Sequence, residues 1–270
     1  MKFIIWSWGY HKFIGGTRVM HKLCHLLNEL GQEAYITTEE TNPEWNTPYH
    51  DGIDYDRENT VVIYPECFPD NKLDAKHVVR WILFHQVADY APTDLVFKLH
   101  THYFSKNDKC DGFLEVFDYD IRNWKNLNLE RNNNMIAYRK GAWKKNYMQL
   151  DFDNFIVYDD YEKHEDEKML CEVMNSCQTF ICCDDSSFLP VQAVLCGCDA
   201  IVVPNPNINA EDYRKVFPLT KYGIAYGNSP NEIERAKYTK HLVKRHIEKI
   251  NDSSKDSVEK FIEYWNDKIK

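Results

Sequence analysis

The densest group of chemically useful side chains in this 270-residue sequence lies at residues 183–197. Two aspartates and two serines follow an apolar run at 179–183 and precede an apolar segment at 188–196 that has the spacing of a helix. The first turn of a helix presents unpaired backbone N–H groups and a positive dipole end, and serine hydroxyls add further donors. The pattern therefore predicts an anion site suited to a diphosphate. The alternative is that Asp185 or Ser186 only caps the helix.

The same run resembles the nucleotide-sugar segment of glycosyltransferases with the GT-B fold. In that segment an acidic residue, a turn of small residues, a second acid and a helix ending in Cys-Gly precede a strand. Asp184 and Gln192 are eight residues apart, like the two family acids. The resemblance implies a catalytic, sugar-facing role for Asp184 and a ribose-binding role for Gln192, which replaces the usual glutamate and lacks its charge. The donor-binding turn would comprise Asp185, Ser186, Ser187 and Phe188.

Four further segments resemble a group of short bacterial and viral sugar transferases. These segments are Tyr64-Pro65-Glu66, residues 71–81, Arg139-Lys140-Gly141 and residues 223–227. Together they span most of the chain, and their order and spacing match the group. The resemblance implies an α/β, GT-B-like fold with two Rossmann-like lobes, parallel sheets and a cleft between them.

Two basic residues and two glycines are further candidates for donor binding. Arg139 and Lys140 follow the first strand of the predicted second lobe, where GT-B enzymes direct cations toward the donor. The resemblance implies that they neutralise the leaving nucleoside diphosphate, so that no metal is required; a solvated turn is the alternative. Gly15 and Gly16 resemble the family's glycine loop, where the backbone admits a close ligand. We expect no cofactor and no metal ligands, with the nucleoside-diphosphate sugar as donor substrate.

The catalytic base is defined less clearly. Inverting transfer needs a carboxylate or a histidine to accept the proton of the acceptor hydroxyl, whereas retaining GT-B enzymes rely on the donor phosphate. Glu66, just past a predicted strand, is the leading candidate, followed by His85, Asp89 and His100. An ordinary surface or core position is the alternative for each. The sequence does not define the donor base, the sugar, the acceptor or the stereochemical outcome.

These side chains must be positioned by alternating strands and helices. Apolar segments predict buried strands at residues 2–6, 33–37, 60–64, 77–83, 94–99, 135–138, 155–158, 179–182, 200–203 and 223–226. Helical spacing predicts helices after Gly15-Gly16, at 165–175, at 188–196, at 230–250 and from Ser253 onward, where Ile269 ends the apolar face. Strands alternating with helices are typical of parallel α/β sheets.

The pattern also predicts the domain boundaries. Residues 1–133 form an N-terminal Rossmann-like lobe on the acceptor side, and residues 134–250 form the nucleotide-sugar-binding lobe. Residues 251–270 form a helix that packs back on the first lobe, by analogy with GT-B proteins.

Composition limits the partners. A net charge of −9 disfavours sequence-independent binding to nucleic acid. The expected partners are therefore a nucleotide sugar and a glycan or glycoconjugate acceptor, with no nucleic acid. The apolar start at residues 1–6 is too short for a signal peptide or a membrane span. We expect a cytoplasmic protein, of a bacterial cell or a virus-infected host, with peripheral membrane contact and oligomeric state left open. The nine cysteines are expected to be reduced core residues.

The predicted function is metal-independent transfer of a hexosyl or pentosyl group from a nucleoside-diphosphate sugar. One alternative is a metal-dependent GT-A transferase, because Asp118-Tyr-Asp120 and Asp151-Phe-Asp153 match the Asp-x-Asp metal motif. A nucleotide-sugar epimerase would share the architecture without needing an acceptor. A non-catalytic nucleotide-sugar binder is the third alternative, since 270 residues is short for two lobes.

Overall fold

The computed structural model describes residues 1–101, 105–148, 151–160 and 166–268, and it contains two compact units. The first unit comprises Met1–Asp118 and Ile250–Lys270, and the second comprises Tyr119–Lys249. Each unit contains one sheet, and the paired strands in the described ranges are parallel. The predicted α/β class with two Rossmann-like parallel-sheet units is confirmed.

The first unit is built on a six-stranded sheet in the order β2-β1-β3-β4-β5-β6. Its elements are β1 (Lys2–Ile5), α1 (Gly15–Glu29), β2 (Glu33–Ile36), β3 (Thr60–Pro65), β4 (His77–Ile82), β5 (Leu95–Lys98), a 3₁₀ turn (Lys106–Asp108) and β6 (Gly112–Phe113). Apolar residues of α1 and of the C-terminal helix bury one face of the sheet. Loop residues such as Phe68 and Leu73 pack on the other face.

The second unit is built on a five-stranded sheet in the order β11-β10-β9-β7-β8. Its elements are β7 (Asn133–Ala137), the 3₁₀ helix Arg139–Met148, β8 (Ile156–Val157), a 3₁₀ turn (Tyr158–Asp160), α2 (Glu167–Asn175), β9 (Cys177–Cys182), α3 (Leu189–Leu195), β10 (Asp199–Val202), α4 (Ala210–Val216), a 3₁₀ turn (Pro218–Thr220), β11 (Ile224–Tyr226), α5 (Pro230–Thr239) and a 3₁₀ turn (Lys240–Leu242). The last helix, α6 (Val243–Lys268), begins in this unit, and its residues from Ile250 onward belong to the first.

Both sheets have a doubly wound strand order, in which the chain first adds a strand on one side of its starting strand and then crosses to the other side. The order reverses between β1 and β3 in the first unit and between β7 and β9 in the second. In open α/β sheets the carboxyl ends of such a strand pair form the crevice that binds ligands. The candidate ligand-binding residues are therefore those that follow β7 and β9 in the second unit and those that follow β1 and β3 in the first.

The boundary between the units lies earlier than the predicted boundary after residue 133. Residues 119–133 belong to the second unit because their polar groups bond to it. Arg131 donates to the carbonyl oxygens of Cys177 (2.8 Å) and Cys196 (2.6 Å), and the Leu127 N–H donates to Asn175 Oδ1 (2.6 Å). These bonds join residues far apart in sequence, so no local pattern marks them.

The C-terminal helices also differ from the prediction. α5 ends at Thr239, and α6 continues without a break through the predicted helix start at Ser253. Its hydroxyl residues serve another purpose, since Ser254 and Ser257 Oγ accept the N–H groups of Phe117 (2.9 Å) and Glu115 (2.8 Å). Glu165 and Ile269, which belong to predicted helices, lie outside the described residues.

None of the helices in the described ranges combines the length and the apolar character that a membrane span requires. All nine cysteines are free thiols, and seven of them are buried. Burial raises the pKa of the Cys182 thiol to about 12.

Candidate functional site

The two turns that follow β7 and β9 are in direct contact, and together they form what we call the switch-point site, residues 138–141 and 183–188. The backbone of Gly141 packs against that of Cys183. A Cβ atom on Gly141 would lie 1.7 Å from the Cys183 carbonyl oxygen and 2.8 Å from the Asp184 nitrogen. The Cys183 N–H donates to the Ala137 carbonyl at 2.8 Å, which continues the ladder between the two strands. The structure thus brings together Arg139-Lys140-Gly141 and the acidic turn.

The backbone of the first turn, residues 138–141, is fixed by the carboxylate of Asp159. Arg139 has a left-handed backbone conformation with φ of 45°, which is uncommon for residues other than glycine. The N–H groups of Tyr138 and Arg139 both donate to Asp159, each at 2.9 Å. Asp159 therefore offsets the cost of the conformation. The Arg139 side chain is half-buried, and Lys140 is exposed.

In the second turn the polar groups bond largely to one another. Asp184 is buried, and its Oδ1 accepts both the N–H and the hydroxyl of Ser186 at 3.1 Å. Ser187 Oγ accepts the Leu189 N–H at 3.2 Å. The helix begins at Leu189 with Phe188 as its N-cap, so neither Asp185 nor Ser186 is the capping residue.

Asp185 has a partner that sequence reasoning missed. The ammonium of Lys144 lies 2.6 Å from Asp185 Oδ1 and 2.8 Å from the Val203 carbonyl oxygen. The Lys144 side chain is only 1% exposed, whereas that of Asp185 is 23% exposed. The Tyr213 hydroxyl donates to the Asp185 carbonyl at 2.9 Å, and burial raises the pKa of Tyr213 well above its ordinary value. This network ties the 3₁₀ helix, the acidic turn and the end of β10 together.

Two further predicted residues lie on α3 or at its start. Phe188 stacks on Tyr119, with ring centroids 4.9 Å apart and planes at 28°. Gln192 is half-buried, and its N–H donates to the Phe188 carbonyl at 3.3 Å. Both residues are thus on the second unit, with the acidic turn.

The remaining predicted residues belong to the first unit. Gly15 and Gly16 are the first two residues of α1 and not part of a loop before it. A Cβ atom on Gly15 would meet nothing within 4 Å, and one on Gly16 would lie 3.9 Å from Leu83 Cδ1. Steric contacts among the described residues therefore do not require glycine at either of these two positions.

Glu66 directly follows β3, at the switch point of the first unit. Its Oε2 accepts the Leu83 N–H at 3.0 Å, and the Tyr90 hydroxyl donates to its carbonyl oxygen at 2.5 Å. Burial raises the pKa of the Glu66 carboxyl, although the bond from Leu83 opposes the rise. A partly buried carboxylate with a raised pKa suits proton transfer near neutral pH.

A buried arginine holds the Glu66 turn in place. Arg80 is 1% exposed and lies against the rings of Tyr64 and Tyr90, at 4.8 and 5.1 Å from their centroids. It donates to Asp94 at 2.7 Å and to the carbonyl oxygens of Phe68 (2.8 Å) and Asp70 (3.1 Å). Tyr90 in turn donates to the Glu66 carbonyl oxygen, so the arginine supports the backbone of the turn that carries Glu66.

The other candidate bases have different surroundings. His85 is exposed, with its ring 4.1 Å from that of Phe84. Asp89 pairs with Lys106, and His100 Nδ1 lies 3.3 Å from the hydroxyl of Thr101. None of these arrangements adds a feature specific to proton transfer.

Three of the four carboxylates in the Asp-x-Asp strings accept hydrogen bonds within the chain. Asp118 accepts hydrogen bonds from Arg18, and Asp120 accepts from Arg122. Asp151 Oδ1 accepts the Asp153 N–H at 2.9 Å. Within the part of the chain that the structure describes, no group of three or more His, Cys, Asp or Glu residues is arranged to hold a metal ion.

Comparison with solved structures finds two that are similar to this chain over nearly its whole length. One solved structure, an alpha-glucosyltransferase in complex with UDP and a 13-mer DNA containing a central A:G mismatch, shares 12% identity at a TM-score of 0.43, covering 97% of this chain and 95% of that one. Another, with UDP and a 13-mer DNA containing an HMU base, shares 13% identity at 0.44, covering 97% and 94%. Similarity at this level does not define an activity or a ligand. No protein-family model and no curated protein matches the sequence.

The comparisons correct one prediction. Nucleic acid was excluded as a partner on the basis of net charge, and net charge does not support that exclusion; both similar structures are themselves complexes with DNA. Net charge is a sum over the whole chain, whereas phosphate contacts depend on the local arrangement of lysine and arginine. A charge of −9 therefore does not decide whether a particular face binds nucleic acid.

Proposed function

We propose that the chain is a glycosyltransferase that moves a sugar from a nucleoside-diphosphate sugar to an acceptor hydroxyl. The main support is the contact between Gly141 and the Cys183–Asp184 backbone, which joins two independently identified segments at the ligand-binding edge of the sheet. The resemblance of both segments to GT-B transferases supplies the reaction class. The transferred group is a hexosyl or pentosyl unit.

In this proposal the switch-point site binds the donor. Arg139 and Lys140 neutralise the diphosphate as the bond between the anomeric carbon and its oxygen breaks, so no metal is needed. Ser186 and Ser187 contact the phosphates, Asp184 faces the sugar and Gln192 bonds to the ribose. The Lys144–Asp185 pair matters because the turn contains two carboxylates that would otherwise repel a diphosphate. Neutralising Asp185 leaves the local field favourable to an anion.

Glu66 is the proposed base on the acceptor side. As the acceptor oxygen bonds to the anomeric carbon, its proton passes to the Glu66 carboxylate, and the nucleoside diphosphate leaves. The acceptor is a glycan or glycoconjugate in the first instance. Nucleic acid belongs in the same acceptor panel, because the two structural neighbours were solved with DNA.

The proposal can be tested in two steps. Calorimetric titration of UDP-, GDP- and dTDP-sugars identifies the donor that binds. An assay for released nucleoside diphosphate, with and without acceptors, then measures turnover. We expect one nucleotide sugar to bind and its turnover to need an acceptor. Binding without turnover across a broad panel would identify a non-catalytic binder. Failure to bind any nucleotide or nucleotide sugar would refute the proposal.

A further inference from the structure

One buried lysine of the first unit, Lys98, has no polar partner among the described residues. Three lysine and arginine side chains in those ranges are buried: Arg80, Lys98 and Lys144, which are 1%, 7% and 1% exposed. Arg80 pairs with Asp94, and Lys144 pairs with Asp185. Within the part of the chain that the structure describes, the Lys98 ammonium forms neither a hydrogen bond nor an ion pair. Charged side chains are almost never buried unless they are paired, so this ammonium is available to a ligand.

Lys98 is the last residue of β5, at the carboxyl edge of the first sheet. Its backbone is fixed on both sides. The Leu99 N–H donates to the Ile82 carbonyl oxygen at 2.9 Å, and the Lys98 carbonyl oxygen accepts the Leu114 N–H at 3.0 Å. Open α/β sheets bind their ligands outside the carboxyl ends of the strands. The sheet therefore holds this lysine at its ligand-binding edge.

The Lys98 side chain lies on the face of the sheet opposite α1 and α6. Phe97 and Leu99 pack in the core that those helices cover, and successive side chains of a strand point to opposite faces. Lys98 therefore shares its face with Tyr64, which is two residues before Glu66. The proposed base and the unpaired lysine thus belong to the same edge of the first sheet.

Glu66 and Lys98 also lie at the same level of that sheet. Pro65 of β3, Trp81 of β4 and Phe97 of β5 are in register, and Glu66 and Lys98 each follow a residue of this row. Neighbouring strands are about 4.8 Å apart, so the two backbones are separated by roughly 10 Å. An acceptor whose acidic group lies about that far from its reacting hydroxyl reaches both residues.

We propose that Lys98 binds an oxyanion, a phosphate or a carboxylate, at the carboxyl edge of the first sheet. The ammonium donates a charge-assisted hydrogen bond to the anion, and the anion compensates a charge that the fold leaves buried. Binding of the anion does not require transferase activity. The next step rests on the proposed function: the anion is part of the acceptor, so the acceptor is an acidic molecule.

Thermal unfolding of the full chain in chloride and in phosphate, at equal ionic strength, tests the proposal. In chloride Lys98→Met should melt at or above the wild-type temperature, because the variant removes an unpaired buried charge. In phosphate we expect the wild type to gain about 2 °C or more beyond the gain of the variant. Phosphate also stabilises proteins by exclusion from their surface, but that effect is common to both proteins and cancels in the comparison.

Lys76→Met is the matched control, since it removes the same charge from the first unit. Lys76 is exposed, pairs with Glu58 and precedes β4, at the opposite edge of the sheet. This variant should gain as much from phosphate as the wild type. Glucuronate in place of phosphate shows whether a carboxylate is bound as well.

The proposal is overturned if Lys98→Met gains as much as the wild type from both anions, because Lys98 then has only a packing role. The acceptor assignment has its own readout in the transfer assay. Lys98→Met should raise the KM for an acidic acceptor about tenfold, as expected for a lost hydrogen bond to a charged group, and leave the KM for the donor unchanged. An unchanged KM for every acceptor would refute that assignment. If no nucleotide sugar binds but the anion effect still depends on Lys98, the proposed function fails and the anion site stands.

Discussion

At the scale of single residues, the most consequential interaction is the ion pair between Lys144 and Asp185. One partner is almost completely buried and the other keeps partial access to water. A buried lysine cannot lose its partner without leaving an uncompensated charge. The same pair also decides how much negative charge the acidic turn presents to a ligand.

We expect Lys144→Met to lower the free energy of unfolding by about 1–3 kcal/mol, the range for leaving a buried polar group unsatisfied. The double variant Lys144→Met/Asp185→Asn should be less destabilised, because no unpaired charge remains. The Val203 carbonyl loses its donor in both proteins, so that loss cancels in the comparison. Urea unfolding of the two variants measures the difference, and equal stabilities would show that charge is not the cause.

Arg139 can be tested with its backbone preserved. Asparagine tolerates the left-handed conformation at this position, and the N–H bond to Asp159 does not depend on the side chain. We expect Arg139→Asn to weaken donor binding about tenfold or more, since a hydrogen bond to a charged group contributes about 1.5–3 kcal/mol. Calorimetry with the donor measures the loss. Unchanged affinity would remove Arg139 from the site.

Glu66 should show its raised pKa in the pH dependence of activity. Only the ionised carboxylate accepts a proton, so kcat/KM should rise with pH through a pKa above the usual glutamate value of about 4.3. Glu66→Gln keeps an oxygen for the Leu83 N–H. We expect this variant to lose the rise of kcat/KM with pH and to be slower by about 100-fold or more. If kcat/KM of the variant still rose with pH as in the wild type, Glu66 would be excluded as the base.

The same shift has a consequence for stability. Because the folded-state pKa of Glu66 is raised, the neutral form is favoured in the fold, and its contribution to stability is lost as pH rises through that pKa. Glutamine is neutral at every pH. The stability of Glu66→Gln relative to the wild type should therefore increase between acidic and neutral pH.

At the scale of elements, the position of the 3₁₀ helix depends on one glycine. The contact of Gly141 with Cys183 leaves no room for a methyl group, although its φ of −104° is available to any residue. We expect Gly141→Ala to displace the helix and to destabilise the chain by about 1–3 kcal/mol, as overpacking does. Donor binding should fall with it.

Gly15→Ala is the matched control, since it is also a glycine-to-alanine change but meets nothing within 4 Å. Alanine favours a helix, so this variant should be neutral or slightly more stable. Thermal unfolding of both proteins makes the comparison. Equal effects of the two substitutions would show that the contact with Cys183 is not limiting.

The elements that sequence patterns predicted well are those that bury apolar residues in a run. Ten strands were predicted near their observed positions, because parallel strands covered on both faces are continuously apolar. β6 consists of a glycine and an exposed phenylalanine, and α4 buries only Tyr213, so neither leaves a buried apolar signal. The Lys144–Asp185 pair joins residues 41 positions apart, and nothing local to either residue indicates the other.

At the scale of the whole molecule, the two units differ in how the chain builds them. The second unit is one continuous segment, whereas the first combines Met1–Asp118 with the C-terminal part of α6. Val258, Phe261 and Trp265 lie in the same core as residues of β1, β3 and α1. The sequence indicated an apolar helix face here, and the family resemblance assigned it to the first lobe, but the individual residues that it contacts are visible only in three dimensions.

Phe261→Ala tests the role of this helix. Phe261 is 1% exposed and contacts Phe3 and Phe97, with ring centroids at 5.9 and 5.0 Å. We expect a loss of about 3–5 kcal/mol in unfolding free energy. Hydrogen exchange should show lost protection in β1, β3 and β5 but unchanged protection in β7, β9 and β10. Equal loss of hydrogen-exchange protection in both sheets would contradict the division of the chain into two units.

The two-part construction of the first unit also constrains how the protein is made. Ribosomes deliver a chain from its N-terminus at about 5–20 residues per second, and domains generally fold as units as they emerge. The strands of the first sheet emerge early, yet the apolar side chains that cover them on α6 are translated after the entire second unit. For several seconds, by that rate, this sheet must remain incompletely covered. Newly made chains should therefore be most prone to aggregate, and most dependent on chaperones, before residues 258–265 leave the ribosome.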